Sequence, residues 1–114
     1  MSEPLAVLDK HQALKVVSGN EKLAEDLLIM LIKELPDYAQ GMQIEFDNAN
    51  KEELRKIIHK MHGGLRYVGA PALTAIVSKT DTDLFELSEQ QLKQSIEHIC
   101  QEIKRIVEQK TYSD

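Results

Sequence analysis

The residues best placed to carry out chemistry lie between positions 54 and 70, around His59. If this segment is an α-helix, with about 100° per residue, several polar or small residues fall within about 60° of His59 on one face. They are Arg55, Lys56, His62, Gly63 and Arg66. The apolar residues cluster near the opposite face. His59 is therefore predicted to face solvent, in a basic surface that another macromolecule could reach.

A histidine in such a surface can act as a nucleophile toward phosphorus. Imidazole is neutral for a good fraction of the time near pH 7, and its nitrogen can attack without a separate base. The surrounding cations would offset the charge of phosphoryl oxygens and attract an acidic partner. The candidate phosphoryl-stabilising or docking residues are Arg55, Lys56, Lys60, His62, Gly63 and Arg66.

Two glycines lie within this helical pattern, and Gly63 favours a docking surface over a merely solvated polar face. Each costs roughly 1 kcal/mol relative to alanine in a helix. Gly63 lies on the His59 face, where core packing does not explain a missing side chain, so it is interpreted as space for an approaching surface. Gly64 lies on the other side, where a close helix–helix contact is expected.

The run His59-Lys60-Met61-His62-Gly63, followed by Val68-Gly69-Ala70, resembles the signature of histidine phosphotransfer (HPt) domains of bacterial phosphorelays. The usual pattern there is His-x-x-Lys-Gly, followed shortly by Gly and Ala. The resemblance covers nearly the whole chain and is closest to the C-terminal HPt domains of hybrid sensor kinases of the BarA/GacS type. Two positions depart from it: His62 replaces the usual Lys, and Asp81 stands where many members carry Glu.

The resemblance implies a phosphorelay function. His59 would accept a phosphoryl group from a receiver-domain aspartate and pass it to the aspartate of another response regulator. The implied partners are receiver domains of a hybrid sensor kinase or a response regulator, which would hold Mg²⁺ themselves, so no cofactor is expected on this chain. No Walker-type phosphate loop is present in the sequence, so the chain is expected to be a phosphocarrier rather than an enzyme.

Two other hypotheses stay open at this stage. His59 and His62, three residues apart on one helix face, could share a metal ion, although they supply only two ligands among several cations. Alternatively, the chain could be a helical protein-interaction module without phosphotransfer, in which His59 is incidental.

Composition restricts the other classes of function and the cellular location. The net charge of −5 disfavours general nucleic-acid binding, and the low content of aromatic residues, 4%, disfavours base-stacking surfaces. A single cysteine, Cys100, excludes an internal disulfide and fits a reducing cytoplasm. The longest apolar run, residues 27–32, is too short to span a bilayer. A cytoplasmic location without membrane insertion is expected. This expectation includes the case in which the chain is the cytoplasmic C-terminal domain of a membrane-anchored sensor kinase.

Helical periodicity runs through the chain and no strand pattern competes with it. A short helix is predicted over residues 9–17, and Asn20 can cap the next helix. Pro36 should end that helix near Glu34, because proline lacks an N–H donor. The family resemblance instead implies a kink at Pro36 and continuation towards Phe46.

The second half is predicted to contain three further helices. Asn50 can cap the His59 helix, which Gly69 should end. Pro71 suits the first position of a short helix, residues 80–87 form a polar connection, and Ser88 opens a long last helix. The expected fold is all-α: an antiparallel up-down four-helix bundle with a short extra N-terminal helix. Residues 1–114 are expected to form one HPt domain with a core of about residues 8–110.

Overall fold

The computed structural model describes residues 4–112, and within them the chain is helical, with no strand. The five α-helices are α1 (Lys10–Val16), α2 (Glu21–Asp47), α3 (Lys51–Gly64), α4 (Pro71–Asp83) and α5 (Glu89–Gln109). Short 3-10 turns, Leu65–Tyr67 and Leu84–Glu86, follow α3 and α4. The prediction of an all-α protein is therefore confirmed. None of the helices in the described range is long and apolar enough to cross a membrane.

Polar side chains fix where four of the helices begin. Asp9, Asn20 and Asn50 each accept a hydrogen bond from a main-chain N–H three residues later, at 3.1, 3.0 and 3.3 Å. Ser88 and Gln91 form a reciprocal capping box at the start of α5. Each bond satisfies an N–H that has no partner within its helix, so these boundaries follow from local sequence.

The four longer helices share one apolar core. α2 packs against α3 and α5, and α4 packs against α3 and α5, while α1 lies against α2 and the first 3-10 turn. Each of the four contributes fully buried side chains, among them Leu35, Met42, Leu54, Ile58, Leu73, Val77, Ile96 and Ile99. Their burial, worth roughly 1.5–3 kcal/mol for each large side chain, is the main stabilising contribution to the fold.

Pro36 does not end α2, so the boundary near Glu34 that local physics predicts is wrong. The helix runs for 27 residues through Pro36, as the resemblance implied. Leu35 and Met42, on either side of the proline, are completely buried, whereas Pro36 itself is exposed. Burial of the apolar face on both sides offsets the one main-chain hydrogen bond that proline removes.

Two further boundaries differ from prediction. α3 ends at Gly64 rather than Gly69, because the chain tightens into the 3-10 turn and becomes extended at Val68. Residues 80–83 belong to α4 and are not a connection. Thr80 is buried there, and its hydroxyl donates to the carbonyl of Ile76 at 2.7 Å, so a polar residue that resembles a loop residue is satisfied inside the helix.

Gly69 joins three parts of the chain. Its carbonyl accepts a hydrogen bond from the N–H of Asp9 at 2.7 Å, and its own N–H donates to the hydroxyl of Tyr112 at 3.0 Å. A side chain at position 69 would overlap the main-chain oxygen of Asp9 and lie 2.9 Å from the nitrogen of Ala13. Glycine is therefore required by close main-chain approach at this junction.

Candidate functional site

His59 projects from α3 into solvent, as its helical position predicts. Its side chain is 63% exposed, while Ile58 and Met61 on the inner side of the same helix are completely buried. The apolar residues therefore fix the rotation of α3 about its axis. This rotation brings the His59 ring to the surface between α3 and α4.

The closest partner of His59 is Asp81, in α4. The Nδ1 atom of His59 lies 3.0 Å from the Asp81 Oδ2 atom, and the Nδ1 atom of His62 lies 3.0 Å from the same oxygen. The Asp81 side chain is only 10% exposed, and its other oxygen, Oδ1, is buried without a hydrogen-bond partner among the described residues. One carboxylate oxygen thus holds both imidazole rings.

The charge state of Asp81 determines which ring nitrogens remain available. Burial raises the pKa of the Asp81 carboxyl, but hydrogen bonds from His62 and His59 lower it more, so the net pKa lies below its usual value. The carboxylate is therefore ionised at neutral pH and can only accept hydrogen bonds. A ring that donates from Nδ1 in its neutral form has its lone pair on Nε2. His59 thus offers a nucleophilic Nε2 atom away from Asp81.

The predicted cations are exposed around this pair of histidines. Arg55, Lys56, Lys60 and Arg66 are all at the surface. The Nζ atom of Lys56 is 3.1 Å from the Glu53 carboxylate. No carboxylate within residues 4–112 forms an ion pair with the other three. Their positive charge remains available to an approaching anion.

The two glycines of α3 both border open space. An added Cβ atom at Gly63 or at Gly64 would have no neighbouring atom within 4 Å. The interpretation of Gly63 as an uncovered position is thus consistent with the structure. The expectation of a tight helix–helix contact at Gly64 is wrong. Instead, Gly64 lines a small groove of about 150 Å³ with Leu27, Met30 and Tyr67.

Asp81 is the part of the site that the sequence did not place. It lies 22 residues after His59, and in the sequence it stood out only as a departure from the family pattern. Its contact with both histidines requires α4 to pack against α3 in one register. Among residues 4–112, no cluster of three or more His, Cys, Asp or Glu side chains has an arrangement that could hold a metal ion.

A comparison with protein families identifies the fold and its class of function. The sequence model described as "Hpt domain" matches residues 26–109, which contain α3, α4 and α5 with His59, His62 and Asp81. The chain belongs to the Hpt domain family. The predicted resemblance is thereby confirmed, and it makes the chain a histidine phosphotransfer domain of the type used in two-component phosphorelays.

Curated relatives of this Hpt domain are sensor kinases. The chain is 36% identical over 90 residues to the signal transduction histidine-protein kinase BarA of Escherichia coli K12 and of Shigella flexneri, covering 79% of this chain. It is 32% identical over 76 residues to the sensor protein GacS of Pseudomonas syringae pv. syringae, covering 67% of this chain. The Hpt domain spans only 8–9% of the length of these relatives.

A solved structure shows the same fold. The HPT domain from the Hpt sensor hybrid histidine kinase from Shewanella superposes with a TM-score of 0.84 and covers 91% of this chain and 90% of its own. Sequence identity is 21%. The Hpt domain therefore retains this fold although most residues differ.

Proposed function

We propose that His59 is the phosphorylated residue of this Hpt domain and that its Nε2 atom is the nucleophile. It would receive the phosphoryl group from the aspartate of one receiver domain and deliver it to the aspartate of another. The observation that carries this assignment is the hydrogen bond from Nδ1 of His59 to Asp81. This bond orients an exposed ring and directs the Nε2 lone pair toward solvent.

The transfer step needs little from this chain beyond a positioned nitrogen. As the Nε2 atom of His59 bonds to phosphorus, the bond between phosphorus and the aspartyl oxygen of the partner breaks, and its electron pair stays on the partner's carboxylate. The proton on Nδ1 stays in the hydrogen bond to Asp81. Since the phosphorylated ring gains positive character, the ionised carboxylate of Asp81 stabilises it.

The surface around His59 suits an acidic partner. Arg55, Lys60 and Arg66 offer positive charge, and the open space beside Gly63 allows close approach. The partner surface we propose is the aspartate pocket of a receiver domain, which would supply Mg²⁺ and the catalytic groups. The Hpt domain would then act as a phosphocarrier without a cofactor and without ATP chemistry of its own.

We also propose that the four longer helices form an antiparallel up-down bundle. Two contacts support this arrangement. His59 and Asp81 are equally distant from position 70, in the connection between α3 and α4. A Cβ atom at position 41 would lie 3.0 Å from the side chain of Ile57, so Gly41 and Ile57 are neighbours. These two residues are equally distant from position 49, which lies between α2 and α3. Helices that fold back at a turn pair such equidistant residues.

The proposed cellular context follows from the relatives. We propose that residues 1–114 act as one Hpt domain, with a core of about residues 8–110, within the cytoplasmic phosphorelay of a sensor kinase. The free thiol of Cys100, the one cysteine of the chain, agrees with a reducing compartment.

Phosphoryl transfer from a phosphorylated receiver domain tests the assignment of His59. We expect the wild-type domain to acquire an acid-labile, alkali-stable phosphoryl group, and His59→Gln to acquire none. The matched control is His11→Gln, because His11 is also exposed but lies on α1, away from Asp81. A labelled His59→Gln variant, or an unlabelled His11→Gln variant, would contradict the assignment.

A further inference from the structure

His62 occupies an unusual position in this site, because it shares the oxygen that holds His59. Its side chain is 25% exposed, so it is reachable from solvent, yet its ring is anchored. Asp81 Oδ2 lies 3.0 Å from Nδ1 of both rings. The two Nδ1 atoms therefore cannot be farther apart than twice 3.0 Å.

This shared anchor orients the Nε2 atom of His62 as well as that of His59. Since Nδ1 of each ring faces Asp81, Nε2 of each ring lies on the side away from it. A phosphoryl group bonded to Nε2 of His59 would lie beside the His62 ring. A neutral His62 that donates through Nδ1 would present a lone pair to that group, whereas a protonated His62 would present an N–H donor.

We infer that loading of His59 is coupled to protonation of its neighbour: His62 takes up one proton from solvent when the phosphoryl group arrives, and its Nε2–H then donates to that group. The inference rests on the proposed function of His59. Its two N–H groups would then have separate acceptors: Nδ1–H donates to Asp81, and Nε2–H donates to a phosphoryl oxygen. Phosphorylation of the domain is thereby coupled to protonation, which a lysine at position 62 would not require.

The charges around His62 favour this sequence of events. From α4 the facing charged group is Asp81. Three further facing groups lie on α3 and on the turn after it. They are His59, three residues before His62, Arg66, four residues after it, and Arg55, two turns before it on the same face. α2 packs on the other side of α3, where Ile57 meets Gly41, so its charged residues do not face His62.

The charges around His62 differ between the free and the phosphorylated domain. The single charge of Asp81 is divided between two rings, and Arg55 and Arg66 oppose a further cation. A phosphoryl group adds up to two negative charges next to Nε2, which reverses the balance. The proton is thus taken up with the phosphoryl group and released when that group leaves.

The test loads His59 by two independent routes, phosphoramidate as a small phosphodonor and a phosphorylated receiver domain. Phosphorus NMR identifies the phosphorylated nitrogen, and nitrogen-15 NMR follows both ring nitrogens of His62 between about pH 6 and pH 9, a range that spans the ordinary titration of histidine. We expect the titration midpoint of His62 to rise by about 1 unit or more on phosphorylation, as for a group that gains a close opposite charge. This corresponds to a tenfold or larger gain in proton affinity.

Two variants supply a second readout, the lifetime of the phosphorylated domain. The ratio of the wild-type lifetime to that of His62→Gln should be about tenfold larger at the acid end of the range than at the alkaline end. His62→Lys, which stays charged, should instead keep a constant ratio to His62→Gln. The variants change a partly exposed residue, and circular dichroism checks that their helical content is unaltered.

The outcomes separate the inference from the function on which it rests. A phosphoryl signal on His59 with an unmoved His62 midpoint overturns the inference and leaves the proposed function intact. Equal lifetime profiles for wild type, His62→Gln and His62→Lys overturn it as well. Failure of both donors to label His59, or labelling of His59→Gln by the phosphorylated receiver domain, overturns the proposed function together with the inference.

Discussion

Replacing Gly69 by alanine should destabilise the domain strongly, because the added methyl group would meet main-chain atoms that cannot turn aside. The nearest are the oxygen of Asp9 and, at 2.9 Å, the nitrogen of Ala13. Relief requires either a shift of α1 or release of the segment that precedes it. Either movement breaks the 2.7 Å hydrogen bond between Asp9 and Gly69.

The expected magnitude can be assembled from these contacts. Overpacking costs about 1–3 kcal/mol, and a lost main-chain hydrogen bond costs about 0.5–1.5 kcal/mol. Release of the segment would instead expose Leu8, which is 8% exposed in the fold, at about 1.5–3 kcal/mol. Both routes give about 3 kcal/mol, which is a large part of the roughly 5–15 kcal/mol that stabilises a typical domain.

Urea denaturation followed by far-UV circular dichroism measures this loss. Gly63→Ala is the matched control, since a Cβ atom there has no neighbour within 4 Å. It should raise the free energy of unfolding by about 0.5–1 kcal/mol, the helix preference of alanine over glycine. A free energy of unfolding for Gly69→Ala within about 0.5 kcal/mol of the wild-type value would show that main-chain contact does not require glycine at this junction.

Three further predictions concern the site itself. His59→Gln should change the free energy of unfolding by no more than about 0.5 kcal/mol, because the His59 side chain is 63% exposed. The same variant should lose phosphoryl transfer, and thermal unfolding and a transfer assay on one preparation check both results. Gly63→Gln should stabilise α3 by several tenths of a kcal/mol. It should also slow transfer from a receiver domain at least about tenfold, equivalent to about 1.4 kcal/mol in the activation free energy. An unchanged transfer rate would show that Gly63 is not at the interface. Asp81→Asn should remove a pH dependence of stability: since the folded-state pKa of Asp81 is lowered, its contribution is present above about pH 4 and is lost as the pH falls through the folded value. Urea midpoints measured from about pH 2 to pH 7 should therefore fall less steeply on the acid side for Asp81→Asn than for wild type, and parallel curves would contradict the assigned role of the carboxylate.

The sequence was sufficient for features that depend on neighbouring residues. The starts of α2, α3 and α5 follow from Asn20, Asn50 and Ser88, whose side chains bond to main-chain groups three residues away. The outward direction of His59 follows from the spacing of apolar residues on its own helix. Such interactions are decided within one or two turns, so no knowledge of the tertiary structure was needed.

Features that depend on distant parts of the chain were not predictable in the same way. Proline at position 36 is unfavourable locally, but the buried residues Leu35 and Met42 extend α2 through it. Thr80 looks like part of a polar connection until its burial and its bond to Ile76 are known. The role of Asp81 needed both the register of α4 against α3 and the ring orientations of two histidines. His59 and Asp81 are equally distant from position 70, in the connection between the two helices, and this symmetry was the signal that could have identified Asp81.

The hydrogen bonds at Gly69 also have a mechanical consequence. Asp9, near one described end of the chain, and Tyr112, at the other, are both bonded to this one residue. Tension applied between residues 4 and 112 would therefore act first on these bonds and on the 3.1 Å bond from the N–H of Ala72 to the carbonyl of Ala6, because all three lie around this junction. α3 and the His59–Asp81 pair lie outside that line of force. A pull on the polypeptide would detach the ends while leaving the geometry of the phosphoryl-accepting nitrogen undisturbed.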